Sequence, residues 1–304
     1  MVDKKTIIIT GVSGFIGRHL CKRLHNEYNI IGYDKVSPHK DFIKYIDRFI
    51  LKDITDELLH HQDVYAVIHL AAKAGVRESQ TQYEQYVKDN ILGTKNVLDA
   101  CVQWWKPKKI LLASSSSVYG DRKTPGRETD IPNPKSLYAA SKLAMEDISK
   151  VYKNTGMIKD DVCNMRIFTV YGPHQRESLA IHKFIDAALK DEEITVYGTG
   201  EQSRDFTFIE DLCFTIELLL RKQHLPDKLN VGFGSTITVN EILDIISSEL
   251  NKNLKIKYEP MNMFDVMTTK SDTRLFNRVL PGHKPEFSIR QGIIKQIEER
   301  KKHL

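Results

Sequence analysis

The chain has 304 residues, 41% hydrophobic and 28% charged, a balance that suits an ordinary soluble globular protein with room for a full-sized core. Its 45 basic and 40 acidic side chains leave a net charge of +5, too small and dispersed an excess for a nucleic-acid partner but compatible with anionic small molecules. No apolar run is long enough to span a bilayer, and "MVDKKTIIIT" passes from charged residues straight into a β-branched run with neither an h-region nor a cleavage site, so a cytoplasmic location is expected.

The first strand, "TIIIT", runs into a glycine-spaced turn, and Gly11, Gly14 and Gly17 stand at the mouth of the helix "FIGRHLCKRLHNE". Glycines here permit a tight turn and let backbone approach a pyrophosphate at the positive end of the helix, so Gly11, Gly14, Phe15, Ile16 and Gly17 are assigned to a dinucleotide. The second strand, "NIIGYD", ends in Asp34, placed to accept hydrogen bonds from an adenosine ribose and to repel a 2′-phosphate. NAD is therefore expected over NADP, with Lys35 beside it as the one opposing feature. "LKDITD" puts Asp53 and Ile54 near the adenine, and "AVIHLAA" runs Leu70, Ala71 and Ala72 past the cofactor with side chains too small to obstruct it. A long helix follows over "YVKDNILGTKNVLDACVQWW", with Trp104 and Trp105 packing near its end, then the strand "KILLAS", the helix "SLYAASKLAMEDISKVYKN" and the strand "VCNMRIF". Continuous apolar strands alternating with helices predict an α/β fold, a Rossmann-type doubly wound parallel sheet. After Phe168 the pattern becomes irregular and loop-rich, which predicts a smaller C-terminal lobe. The expected division is 1–168, with 205–235 returning to it, against 169–204 and 236–304.

Tyr138 and Lys142 are one helical turn apart and share a helix face, where a cation lowers the phenol pKa and makes it a usable base. Cys21, Cys101, Cys163 and Cys213 show no paired spacing and are read as reduced, mostly buried thiols, with no metal site expected. His19, His25 and the pair His60 and His61 show no ligand spacing either and are expected to be solvated.

The spaced glycines, "ASSSSVYG", and Tyr138 with Lys142 together resemble the extended short-chain dehydrogenase/reductase family, in its NAD-dependent nucleotide-sugar epimerase and dehydratase branch. "LAAKAGVRES", "NILGTKNVL", "RIFTVYGP", "ITVYGTGEQSRDFTFIEDL", "NVGFG" and the "EPMNMFDV" region are similar to segments of UDP-sugar 4-epimerases, most closely of the glucuronate type, over nearly the whole chain. The resemblance implies an NAD-binding first domain, a nucleotide-sugar-binding lobe and a UDP-sugar substrate. It implies that Tyr138 takes the proton from the sugar 4-hydroxyl, that Lys142 holds the nicotinamide ribose and tunes the tyrosine, and that Ser115 hydrogen-bonds the same sugar oxygen. Asn90 matches a position that braces the active-site strand and is counted with the cofactor site; Thr169 lies where relatives contact substrate or nicotinamide. By the same resemblance Tyr197 packs near the uracil, Arg204 clasps the diphosphate and Asp265 binds the uridine ribose. The two long helices are those that pair across a two-fold axis in relatives, so a homodimer is expected.

The branch divides at the three residues before "VYG", here Ser115, Ser116 and Ser117, where the usual 4,6-dehydratases resemble Thr-Asp-Glu. A serine hydroxyl is a poor base for the C5 proton at neutral pH, so three small hydroxyls point to 4-epimerisation, with Ser116 and Ser117 facing substrate. An atypical dehydratase that recruits its acid from elsewhere is the alternative. A non-catalytic NAD sensor is disfavoured because both Tyr138 and Lys142 are present. The sugar stays open among glucuronate, glucose and N-acetylglucosamine: Arg176 would face a carboxylate, but Glu177 beside it opposes an anionic sugar, and His174 and Phe264 stand where glucuronate-type relatives usually differ.

Overall fold

The structure, a computed structural model, describes residues 4–261 and 263–303. The chain divides into two compact units: Met1–Gly120, Ile131–Ile167 and Cys213–Leu229 form one, Asp121–Asp130, Phe168–Leu212 and Asn230–Leu304 the other.

In the first unit, β1 (Lys5–Thr10), β2 (Tyr28–Asp34), β3 (Arg48–Leu51), β4 (Val64–His69), β5 (Lys109–Ser115) and β6 (Asp161–Ile167) build a parallel sheet. The order is β6-β5-β4-β1-β2-β3, and the strand Lys228–Val231 adds a seventh place beside β6. Every residue of β5 is buried, as a central strand covered on both faces requires. The edge strand β3 was not anticipated: it is four residues long, opens on exposed Arg48 and closes on exposed Leu51, which leaves almost no apolar signal to read.

Strand order reverses between β1 and β4, and that switch point opens a crevice at the carboxyl ends of the strands. One face of the sheet is closed by a core of Val97, Leu98, Trp105, Ile110, Leu112 and Met145. Trp105 packs there as expected, its indole N–H donating to the Leu59 carbonyl at 2.9 Å. His61, by contrast, is buried rather than solvated, because its ring takes a 2.7 Å hydrogen bond with the Tyr33 hydroxyl. The long helix is helical from Tyr83 to Trp105 but widens into π turns at Val87–Leu92 and Cys101–Trp105, a register change that apolar spacing does not report.

The helix Leu137–Asn154 starts at Ser136, whose hydroxyl accepts the Ala139 N–H at 3.1 Å. Its inner face is joined to the sheet in sequence: Lys142 Nζ donates to the Ala113 carbonyl, Glu146 takes the Ser114 hydroxyl and a bidentate pair from Arg166, and Ser149 accepts from Asn164.

In the second unit, Ser203–Phe208 is flanked by Thr236–Thr238, Thr268–Thr269 and Thr169–Tyr171. Glu193–Tyr197 pairs in parallel with Lys255–Glu259. The helices Val239–Leu250 and Ile289–Lys301 each begin with a reciprocal capping box, at Thr238 with Glu241 and at Ser288 with Gln291. The four cysteines are buried, and none is in a disulfide. Among the described residues no helix is long and apolar enough to cross a membrane.

Candidate functional site

The crevice at the switch point is a cleft of roughly 330 Å³. From the turn after β1 it is lined by Gly11, Ser13 and Gly14, from β2 by Asp34, and from the segment after β4 by Leu70, Ala71 and Ala72, with Asp53 and Ile54 also on its wall. Gly11 sits at φ +77°, and a Cβ there would stand 2.7 Å from the Ala71 nitrogen, so turn and β4 segment approach each other only because glycine intervenes. Gly17 faces the turn instead of the cleft: a Cβ on it would lie 2.1 Å from the Gly11 oxygen, and its absence lets the helix Phe15–Leu24 close onto the loop. Phe15 packs edge-on against His19, and Ile16 is half-buried beside it, so these two shape the helix start. No side chain caps that start. Its first-turn N–H groups and the bare glycine floor fit a dinucleotide pyrophosphate.

Asp34 is held ready at the end of β2, its two oxygens accepting the Ser13 and Val36 amides at 2.9 and 3.1 Å. Lys35, the residue that argued against NAD, also lines the cleft, but its charge is engaged there: its ammonium lies 2.9 Å from Asp89 and 3.6 Å from Asp53. Asp53 also accepts from the Thr55 amide and hydroxyl at 3.0 Å, and its carboxyl pKa is lowered because these bonds and the Lys35 charge outweigh its partial desolvation. Ser13, Val36, Lys52 and Asp89 line the cleft without having been anticipated. Only tertiary pairing brings Asp89 there, 54 residues along the chain from Lys35.

Asn90, on the π turn, is almost fully buried and braces the loop after β4: its side chain accepts the Lys73 amide at 2.8 Å and donates to the Lys73 carbonyl and to the Ser141 hydroxyl, both at 2.9 Å. Lys142 is buried, and desolvation pulls its ammonium down from 10.5 to about 8. Tyr138, one turn earlier, is half-buried with its ring edge-on to Tyr86 at 6.2 Å. Ser115 ends β5, and its oxygen accepts the Ser117 hydroxyl at 2.9 Å and the Ser117 amide at 3.2 Å. That leaves the Ser115 proton for a further acceptor. Ser116 is half-buried next to them. Ser114, the preceding residue, points the other way, donating to buried Glu146. Glu146 is committed to Arg166 through bonds of 2.9 and 2.7 Å and lies 2% exposed, so it is no loose acid beside the serine run.

The second unit holds the remaining candidates. Arg204 donates to the carbonyls of Ser203 and Met267 at 2.9 and 3.1 Å. Burial lowers its pKa, and the charges of Asp265 and Asp121 oppose that fall, so Arg204 and Asp265 share one neighbourhood; Asp121 was not anticipated there. Tyr197 is 44% exposed at the end of its strand. Thr169 pairs in register with Phe206. Arg176 is exposed on the following loop, where His174 adopts a left-handed backbone of φ +60°. Glu299 lies 3.1 Å from the His174 ring nitrogen and 3.2 Å from that of His303.

Residues 7–232 match the model of the NAD dependent epimerase/dehydratase family. A UDP-glucuronate 4-epimerase of Thermodesulfobacterium geofontis is 33% identical, the match covering 98% of this chain and 96% of the relative. Among solved structures, MoeE5 in complex with UDP-glucuronic acid and NAD superposes with a TM-score of 0.91 at 34% identity, covering 98% of this chain and all of that one. TunA, described as an NAD-dependent NDP-hexosamine 5,6-dehydratase, superposes with the same TM-score at 28% identity, covering 98% of each chain.

Proposed function

Since the chain belongs to the NAD dependent epimerase/dehydratase family, we propose that it is a UDP-sugar 4-epimerase. Its cofactor is NAD, which when bound supplies the reversible redox step at C4 of the sugar. Tyr138 takes the proton from the 4-hydroxyl. Lys142 shares its helix face, and its buried charge favours the phenolate. Ser115, whose oxygen already accepts from Ser117, donates a hydrogen bond to the sugar oxygen and holds that oxygen through the step. Asp34, with the charge of Lys35 engaged by Asp89 and Asp53, selects NAD over NADP.

The observation that carries epimerisation over elimination is the serine run. Ser115, Ser116 and Ser117 offer hydroxyls alone, and Glu146, which takes the hydroxyl of Ser114, is locked to Arg166. Elimination needs a base for the C5 proton, and none is supplied there. In the second unit Arg204 binds the diphosphate, Tyr197 the uracil, Asp265 the ribose, and Thr169 and Arg176 the sugar. Firm binding of the nucleotide and loose binding of the sugar let the keto intermediate present its other face without escaping.

Purified protein incubated separately with UDP-glucuronate, UDP-glucose and UDP-N-acetylglucosamine decides the reading. A product of unchanged mass with an inverted C4 proton signal establishes the epimerase and names its sugar. A product lighter by one water makes the chain a dehydratase instead.

A further inference from the structure

His69, the last residue of β4, takes no part in the roles assigned above. It is 2% exposed, between the cleft and the helix that carries Tyr138, and both ring nitrogens are engaged: Nδ1 lies 2.7 Å from Thr10 Oγ1 and Nε2 3.0 Å from Thr94 Oγ1. Its neighbours fix every hydrogen. Thr94 has one proton and gives it to the Asn90 carbonyl at 2.6 Å, so its oxygen accepts from Nε2–H. Nδ1 is then a bare acceptor for the Thr10 hydroxyl, while the Thr10 oxygen in turn receives the Ala71 amide at 3.2 Å. At Asn90 the tie passes from backbone to side chain: its side-chain amide donates to Ser141, and the Ser141 hydroxyl donates to the Tyr138 carbonyl at 2.8 Å.

We propose that His69 is a positioning residue: as the neutral Nε2–H tautomer it sets the direction of the hydrogen bonds that run from the cofactor cleft at Ala71 to the Asn90 backbone, and Asn90 ties that chain to the backbone of Tyr138. The role of its far end rests on Tyr138 as the base. Protonation of the ring would put two donors on the Thr10 contact and a second cation near buried Lys142; both burial and that charge hold the ring neutral, with its pKa lowered to about 3. Ala71 lies on the cleft wall and Asn90 clamps the next loop through Lys73, so one ring registers the cofactor wall against the catalytic helix.

The test compares His69→Leu, His69→Gln and Thr94→Val with the parent as purified holoproteins, reading NADH affinity after cofactor removal and, with the UDP-sugar that turns over, kcat, KM and the pH profile. His69→Leu is expected to lower kcat about 10- to 100-fold, as a small misplacement of a reacting group does, to weaken NADH binding, and to leave KM for the UDP-sugar within about twofold. Glutamine, whose amide also accepts on one side and donates on the other, should restore most of both losses with an unshifted pH profile. If His69→Leu does not fold, Thr94→Val carries the test, because it adds no bulk and removes the link on the far side of the ring, both the acceptor for Nε2–H and the donor to the Asn90 carbonyl; the same loss supports the role. Parent-like values in the leucine variant, or in Thr94→Val, overturn it, as does a glutamine variant as impaired as leucine. Should the parent turn over no UDP-sugar, the reading of Tyr138 fails separately, and the NADH affinities still judge the tie to the cleft.

Discussion

Lys142 bears two opposed demands. The proposed catalysis needs its charge one turn from Tyr138, while folding has to bury that charge. With the ammonium lowered to about 8 from 10.5, the folded chain releases this proton before the unfolded chain does. Between those values the unfolded state holds more protons, so stability rises as pH climbs through the window; below about pH 8 both states are protonated and the full burial cost is present. Lys142→Met should therefore stabilise the cofactor-free protein by roughly 2–3 kcal/mol at pH 7, a gain that shrinks toward pH 10, while turnover falls about 10²- to 10⁴-fold. Thermal melts at the two pH values, with activity at pH 7, check both halves. Tyr138→Phe should lose turnover to a similar degree while keeping its cofactor, which absorbance of the bound nucleotide reads directly. In the second unit, Arg204→Ala should raise KM at least tenfold with a smaller change in kcat; an unchanged KM removes Arg204 from the site.

At the scale of elements, the turn after β1 is the most constrained piece. The Gly17 position leaves 2.1 Å to a carbonyl oxygen, so Gly17→Ala must push the helix Phe15–Leu24 off the loop. The expected outcome is a loss of about 1–3 kcal/mol, as for an overpacked core, together with weakened NAD binding, measured by denaturation and by cofactor titration. This element was legible in the sequence because its glycines, its strand and its helix are neighbours in the chain. The placement of Tyr138 and Lys142 one turn apart on one helix was legible for the same reason, the two being four residues apart on a strongly patterned segment. What was not legible depends on partners far away in the chain. Lys35 reads as a possible phosphate ligand until Asp89 and Asp53 are seen beside it. His61 reads as solvated until it meets Tyr33. His69 stands in a quoted strand, yet its role emerges only when Thr10 and Thr94 close on either side. The π turns escaped because they keep the apolar stripe and change only the hydrogen-bond register.

At the scale of the molecule, a dimer is the assembly we propose. Leu92 and Val151, on the two long helical segments, are 45% and 54% exposed, apolar side chains that a bundle with a second copy would cover. Light scattering at micromolar concentration should give twice the 35.0 kDa chain mass, and a monomer mass would end the proposal.

The inner face of the helix Leu137–Asn154 has one further consequence. Lys142, Glu146 and Ser149 are each fastened to β5 or β6, so the helix cannot turn or slide without breaking a buried ion pair and several hydrogen bonds together. Tyr138 at its start, the base we propose, inherits that rigidity. In native-state deuterium labelling, the amides of residues 142–149 should exchange only through global opening, orders of magnitude more slowly than those at the frayed end near Asn154. The turn that carries Tyr138 and Lys142 would then be among the last parts of the protein to come apart.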